Sequence, residues 1–120
     1  MIEVKNLSIS SDVLRGHLES IILTLINDKD RYGYEIVNEI KKRTDGDYLM
    51  KEATLYAMVQ RLEKKEVITS YIGDKSHGRK RRYYKITTLG KAYLYEKKQE
   101  WKTLKSLMAL FLEETDEKTG

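Results

Sequence analysis

Six lysines and arginines crowd the eleven residues from Lys75 to Lys85, directly downstream of an amphipathic helical segment. This juxtaposition limits what the chain can fold into more than any other feature. Residues 52–87 read EATLYAMVQRLEKKEVITSYIGDKSHGRKRRYYKIT. Leu55, Met58, Val59 and Leu62 recur with the 3.6-residue period of one helix face over residues 52–65. The opposite face carries Ala53, Ala57, Gln60, Arg61 and Lys64. Residues 67–73 and 81–87 are rich in β-branched and aromatic types and flank a polar turn at 74–80, the pattern of a hairpin. Gly73 and Gly78 are expected to let its backbone turn tightly.

The flanking sequence extends the helical pattern. Ser10, Ser11 and Asp12 offer N-cap oxygens, and Leu14, Leu18, Ile21, Ile22 and Leu25 follow a helical period over 12–27. Residues 28–31 read as a polar connector. A second helix is expected over 32–44 with Ile36, Val37 and Ile40 inward, and Asp45-Gly46-Asp47 ends it. A long final helix covers 88–113. The predicted fold is mainly α (α+β): a winged helix-turn-helix unit at 1–87, a dimerisation helix at 88–113 and an acidic tail at 114–120.

Composition narrows the setting. With 120 residues there is room for one domain and an appendage. There is no cysteine, hence no disulfide framework or thiolate metal site, in keeping with a reducing cytoplasm. No apolar run has the length of a membrane span, and no basic-then-apolar leader opens the chain, so the expected location is cytoplasmic. The formal charge of +4 matters less than its placement: the cations gather at 75–85 and the tail is acidic. Such local excess of one sign attracts a polyanion.

A helix that enters the DNA major groove needs a face of small and hydrogen-bonding side chains. Ala53 and Ala57 permit close approach, Gln60 and Arg61 reach base edges, and the hydroxyls of Thr54 and Tyr56 reach phosphates. Taken alone, such a face is most often merely solvated. The neighbouring turn changes that weighting, because its cations repel one another without a polyanion and would follow a phosphate backbone or enter the minor groove. A solubilising edge strand is the blander explanation for the same lysines. The candidate DNA-contacting set is Lys51, Thr54, Tyr56, Ala57, Gln60, Arg61 and Lys64 on the helix. Lys75, His77, Arg79, Lys80 and Arg81 complete it on the wing.

The motifs Tyr32-Gly33-Tyr34-Glu35-Ile36, Ala53-Thr54-Leu55-Tyr56 and Arg61-Leu62-Glu63 resemble those of the PadR family of bacterial transcriptional regulators. Gly78-Arg79, Tyr83-Tyr84, Ile86-Thr87, Gly90 and Trp101 continue the likeness, in order and spacing, over residues 14–112. The short C-terminal part resembles the small PadR subclass with one helix after the wing, and its tryptophan is similar to that of multidrug-sensing members. The resemblance implies a dimeric winged-helix repressor on an operator near its own or a neighbouring gene, with 52–65 as recognition helix and 74–81 as wing tip. Two positions depart from the pattern. Lys51 stands where a capping side chain is usual, and Glu66 replaces a glycine common before the first wing strand.

Leu94, Trp101 and Met108 recur every seven residues, with Leu104 and Phe111 three further on, which is an a/d seam interrupted by Lys97. These five are the expected dimer contacts. Trp101 carries two readings: a large interface anchor, or, with its symmetry mate, a platform that stacks a planar aromatic effector. Leu104 and Lys105 would line such a site, and Lys105 would bias it towards neutral or anionic compounds. Expected partners are therefore double-stranded operator DNA, a second copy of the chain and a planar aromatic small molecule, with no membrane and no cofactor.

An enzyme would need a convergent nucleophile, acid/base pair or metal set. Only His17 and His77 are present, far apart in sequence, and there is no glycine-rich phosphate loop, so no catalytic or metal residue is assigned. The alternative to a DNA regulator is a protein-interaction module that uses the last helix, with the wing merely solubilising.

Overall fold

The structure is a computed structural model that describes residues 10–73 and 80–113. Its elements run α1 (Ser11–Asp28), β1 (Arg31–Tyr32), α2 (Gly33–Arg43), α3 (Glu52–Lys64), β2 (Ile68–Ile72), β3 (Arg82–Ile86) and α4 (Thr88–Leu112). The strands form one antiparallel sheet in the order β1-β3-β2. This is the mainly helical winged-helix architecture expected from the sequence, with element ends within one or two residues of those predicted.

α1 starts where Ser10 Oγ accepts the Val13 N–H at 3.2 Å. It sends Leu18, Ile22, Leu23, Leu25 and Ile26 into the core, whereas Ile21, expected on the apolar stripe, is 36% exposed. Ile36 and Ile40 of α2 and Leu55, Met58, Val59 and Leu62 of α3 meet that face, and Val67, Ile68, Tyr84 and Ile86 close the core beneath the wing. Val37 packs at its margin and is only partly buried.

α2 and α3 both end on left-handed backbone. After α2, Asp45 and Gly46 have φ 57° and 81°, and the Gly46 N–H donates to the Lys41 carbonyl at 2.7 Å. After α3, Glu66 has φ 64°. Its N–H donates to the Glu63 carbonyl at 2.9 Å and the Val67 N–H to the Leu62 carbonyl at 3.1 Å. Those two bonds form a Schellman closure, which favours glycine at the position Glu66 holds.

The supposed connector 28–31 contains half of a strand. Arg31 and Tyr32 pair with Tyr84 and Tyr83, and Tyr32 serves as N-cap of α2 rather than as its first helical residue. Glu35 Oε1 accepts the Tyr32 N–H at 3.3 Å. Arg31 is 9% exposed, because its Nε donates to the Leu25 carbonyl at 2.8 Å and its terminal nitrogens lie 3.8 Å from Asp28 and from Glu39. A two-residue strand has no period to read, so the sequence did not reveal it.

β2 and β3 pair from Ile68↔Ile86 to Ile72↔Arg82. Tyr71 stacks on Tyr83 (centroids 5.6 Å apart) and Tyr83 meets Tyr32 edge-on (5.4 Å). Gly73 is required under this stack for want of space: an added Cβ would strike the Tyr83 ring. The φ of Gly73 is not positive, so space under the Tyr83 ring, and not left-handed backbone, is what calls for glycine there. Gly78 lies outside the described residues.

α4 opens on Thr87, whose Oγ1 accepts the Gly90 N–H at 2.9 Å. Its first turns are embedded in the domain, with Gly90 and Leu94 buried. From Lys98 to Glu113 every side chain is exposed except the half-buried Ala109. At 1.5 Å per residue the helix is about 37 Å long, so most of it stands clear of the core.

Candidate nucleic-acid interface

The two sides of α3 divide as the 3.6-residue period requires. Leu55, Met58, Val59 and Leu62 are buried, while Ala53, Ala57, Gln60, Arg61 and Lys64 are exposed on the outer face. Thr54 is half-buried and Tyr56 exposed at its edge. Lys51 is the N-cap residue, exposed, with no side-chain bond to the helix end. The first-turn N–H groups of α3 therefore lack the capping oxygen usual at such positions.

Two concavities flank the outer face. One of about 660 Å³ lies between α1, the segment before α3 and α3 itself, lined by Arg15, Lys51, Ala53, Thr54, Ala57 and Arg61 among others. It unites three cations with two small side chains. The other, about 640 Å³, lies between α3, the start of α2 and the wing, with Tyr34, Tyr56, Gln60, Arg81 and Arg82 in its wall. Gly33 is small here because a Cβ would come 3.0 Å from the Tyr56 hydroxyl and 3.3 Å from Leu55 Cδ2.

The wing root is tied to the helix. Arg82 donates to Ser70 Oγ at 3.0 Å, and Ser70 Oγ donates to Glu63 Oε2 at 2.7 Å, joining β3, β2 and α3 in one chain. Tyr84 behind it is held above the usual phenol range by burial, with a smaller push from Tyr56 and Glu63. Arg81 lies at the wing base, its guanidinium carbon 4.2 Å from the Tyr32 ring centroid. Its Nε is buried without a hydrogen-bond acceptor among the described residues. Lys80 is exposed beside it. Lys75, His77 and Arg79 lie outside the described residues.

The arrangement is one small-residue helix face between two cation-lined hollows, with a β-hairpin braced beside it. Residues 22–96 match the family described as the transcriptional regulator PadR-like family. That span is well over half of the chain.

The chain belongs to the PadR family.

Its relatives agree. An uncharacterized protein of Lysinibacillus sphaericus is 61% identical over 105 residues, covering 88% of this chain and 96% of that protein. A transcriptional regulator from Clostridium thermocellum has 44% identity and a TM-score of 0.78, over 87% of this chain and 98% of its own. A PadR-like transcriptional regulator from Bacillus cereus has 32% identity and a TM-score of 0.77, over 88% and 100%. The PadR assignment makes this protein a transcriptional regulator, with DNA as the partner its family implies. No helix among the described residues is long and apolar enough to cross a membrane.

In this PadR chain the five seam residues on α4 separate into two groups. Leu94, 3% exposed, belongs to the core of its own chain. Trp101 (51%), Leu104, Met108 and Phe111 (75%) are exposed, and Leu107, Leu110 and Leu112, which the seam pattern did not include, are exposed with them. Lys105 Nζ stands 5.1 Å from the Trp101 ring centroid, one turn along the same helix. A groove of about 300 Å³ runs between the two helices, with His17, Ser20 and Thr24 of α1 facing Leu94, Lys97 and Trp101 of α4.

Sequence reasoning overlooked one polar cluster. Glu19 of α1, only 13% exposed in its side chain, gathers Lys65, Tyr93 and Arg61. In the sequence it looks like any acid on a solvated helix face, and nothing short-range marks it out.

Proposed function

We propose that the protein is a homodimeric repressor that binds a palindromic operator in the cytoplasm. In this reading residues 1–87 form the DNA-binding unit and the helix over 88–113 carries dimerisation. The single observation behind it is the outer face of α3, where Ala53, Ala57, Gln60 and Arg61 stand exposed between two basic hollows. α3 enters the major groove with Gln60 and Arg61 on base edges. Lys51, Thr54, Tyr56 and Lys64 contact the backbone, and the wing cations grip backbone or minor groove.

Dimerisation is supported by the exposed stripe from Trp101 to Leu112, since an apolar surface of that extent on a small domain marks an interaction site. Two copies present two recognition helices about 34–36 Å apart, one turn of DNA. Trp101 is the candidate platform for a planar aromatic effector, in the manner of the multidrug-sensing subclass, with Leu104 and Lys105 beside it. Such a ligand releases DNA only if it binds more tightly to a dimer geometry whose helices miss the half-site spacing.

Footprinting on the region upstream of the gene tests this reading. Two symmetric protected half-sites, about 10 base pairs apart centre to centre, are expected. One asymmetric footprint, or none, removes the palindromic dimer.

A further inference from the structure

We propose that Glu19 is a positioning residue that holds Arg61 of the recognition helix and ties its placement to the seat of α4. The inference rests on the reading of α3 as the DNA-reading helix.

The Glu19 carboxylate is the meeting point of three helices. Lys65, the residue that caps α3, brings Nζ to 3.1 Å from both Glu19 oxygens. The Tyr93 hydroxyl of α4 donates to Glu19 Oε1 at 2.9 Å. Lys65 Nζ also donates to the Tyr93 oxygen at 3.2 Å, closing a triangle. Arg61, one turn before Lys65, has a terminal nitrogen 4.0 Å from Glu19 Oε2.

These distances rank the partners. Lys65 and Tyr93 hold the carboxylate directly, whereas Arg61 is at the outer limit of an ion pair. Burial draws the Lys65 ammonium down, but its bonds to Tyr93 and Glu19 outweigh this and hold its pKa above the ordinary lysine value. The carboxylate is thus pinned, and its remaining field falls on Arg61. With its side chain 50% exposed, Arg61 keeps donors free for the hollow that it shares with Lys51, Ala53 and Ala57. Glu19 acts as a tether that limits where the guanidinium can go and leaves it able to reach a base.

The third partner makes the tether responsive. Tyr93 precedes Leu94, which roots α4 in the core. A tilt of α4 that withdraws the Tyr93 hydroxyl removes one of the two donors on Glu19 Oε1, leaving Lys65 alone on it, and changes the carboxylate's hold on Arg61 and Lys65. The exposed stripe of α4 and the outer face of α3 are therefore linked through one side chain.

The test compares Glu19→Gln, Tyr93→Phe and Arg61→Ala in the full chain. In the DNA-free protein, the Arg61 Nε–H signal in a heteronuclear NMR spectrum is expected to move in Glu19→Gln, and to move less, in the same direction, in Tyr93→Phe. An Arg61 signal unchanged by Glu19→Gln overturns the tether whatever the DNA results. On DNA, affinity for an upstream fragment is divided by affinity for a scrambled duplex. Glu19→Gln should lower this ratio by about threefold or more, and should leave it unchanged in the Arg61→Ala background. Equal tightening on both duplexes, the effect of deleting a negative charge, overturns the positioning role. A wild-type protein that binds both duplexes equally would end the DNA reading alone, with the NMR comparison still deciding the tether. Should Glu19→Gln fail to fold, Tyr93→Phe, which deletes one hydroxyl, carries both measurements.

Discussion

The α-carbon of Gly90 rests against the Val67 carbonyl so closely that no Cβ fits between them. The first turn of α4 is thereby seated on the start of the wing. An added Cβ would overlap that carbonyl oxygen and approach Ile86 Cγ1 to 2.7 Å. The obstacle is backbone, and the same carbonyl accepts the Thr87 N–H at 3.0 Å, so it cannot move without cost. Gly90→Ala should lower stability by about 2–3 kcal/mol or more. Gly16→Ala, in an exposed stretch of α1 with nothing within 4 Å of the added carbon, should raise it by about 0.5–1 kcal/mol. Urea denaturation of the two variants checks both signs.

Glu66 carries backbone strain at the end of α3. Its φ of 64° closes α3 with a side chain where glycine has no steric penalty. Relieving a non-glycine residue of left-handed backbone is worth about 1–2 kcal/mol, less a fraction lost to the freer unfolded chain. Glu66→Gly should raise the thermal midpoint, and a lowered midpoint would show that the Glu66 side chain contributes more than its backbone costs.

Lys51 opposes stability to binding. A serine there could accept an N–H from the first turn of α3 and stabilise the fold by about 1 kcal/mol. It would also remove a cation from the hollow that holds Arg15 and Arg61. Lys51→Ser should therefore melt higher, yet bind all duplexes more weakly, with the slope of log K against log salt reduced by about 0.9. Calorimetry and salt-dependent anisotropy on the same preparation would reveal the divergence.

The helix faces were legible because burial repeats along them. Leu55, Met58, Val59 and Leu62 are buried as their spacing requires, and the basic turn does separate two paired strands. What was hidden depends on partners distant in sequence. β1 is two residues long, and Arg31 looks like a solvated cation until Glu39 and the Leu25 carbonyl are brought to it. Leu94 fits the same heptad as Trp101, and a heptad cannot tell a partner in its own chain from one in another. Glu19 and Tyr93 are 74 residues apart and meet only in the folded chain.

The exposed stripe on α4 predicts how the protein associates. Phe111→Asp and Leu107→Asp, both remote from the core, should shift sedimentation from dimer to monomer while leaving the helical content of the winged unit in place. A dimer that persists in both variants would move the interface away from this stripe.

The proposed DNA reading divides recognition between the wing and the helix. Gln60→Ala or Arg61→Ala should change which base pairs are preferred, at about 1–3 kcal/mol for a lost bidentate contact. Lys80→Ala should weaken all sequences alike.

The most direct test of the account is a gel-shift titration of the upstream fragment against a scrambled duplex at two salt concentrations, about 50 and 200 mM. A specific operator complex should prefer the upstream fragment by about a thousandfold or more, with both affinities falling steeply as salt rises. Equal, weak binding to both duplexes would contradict it.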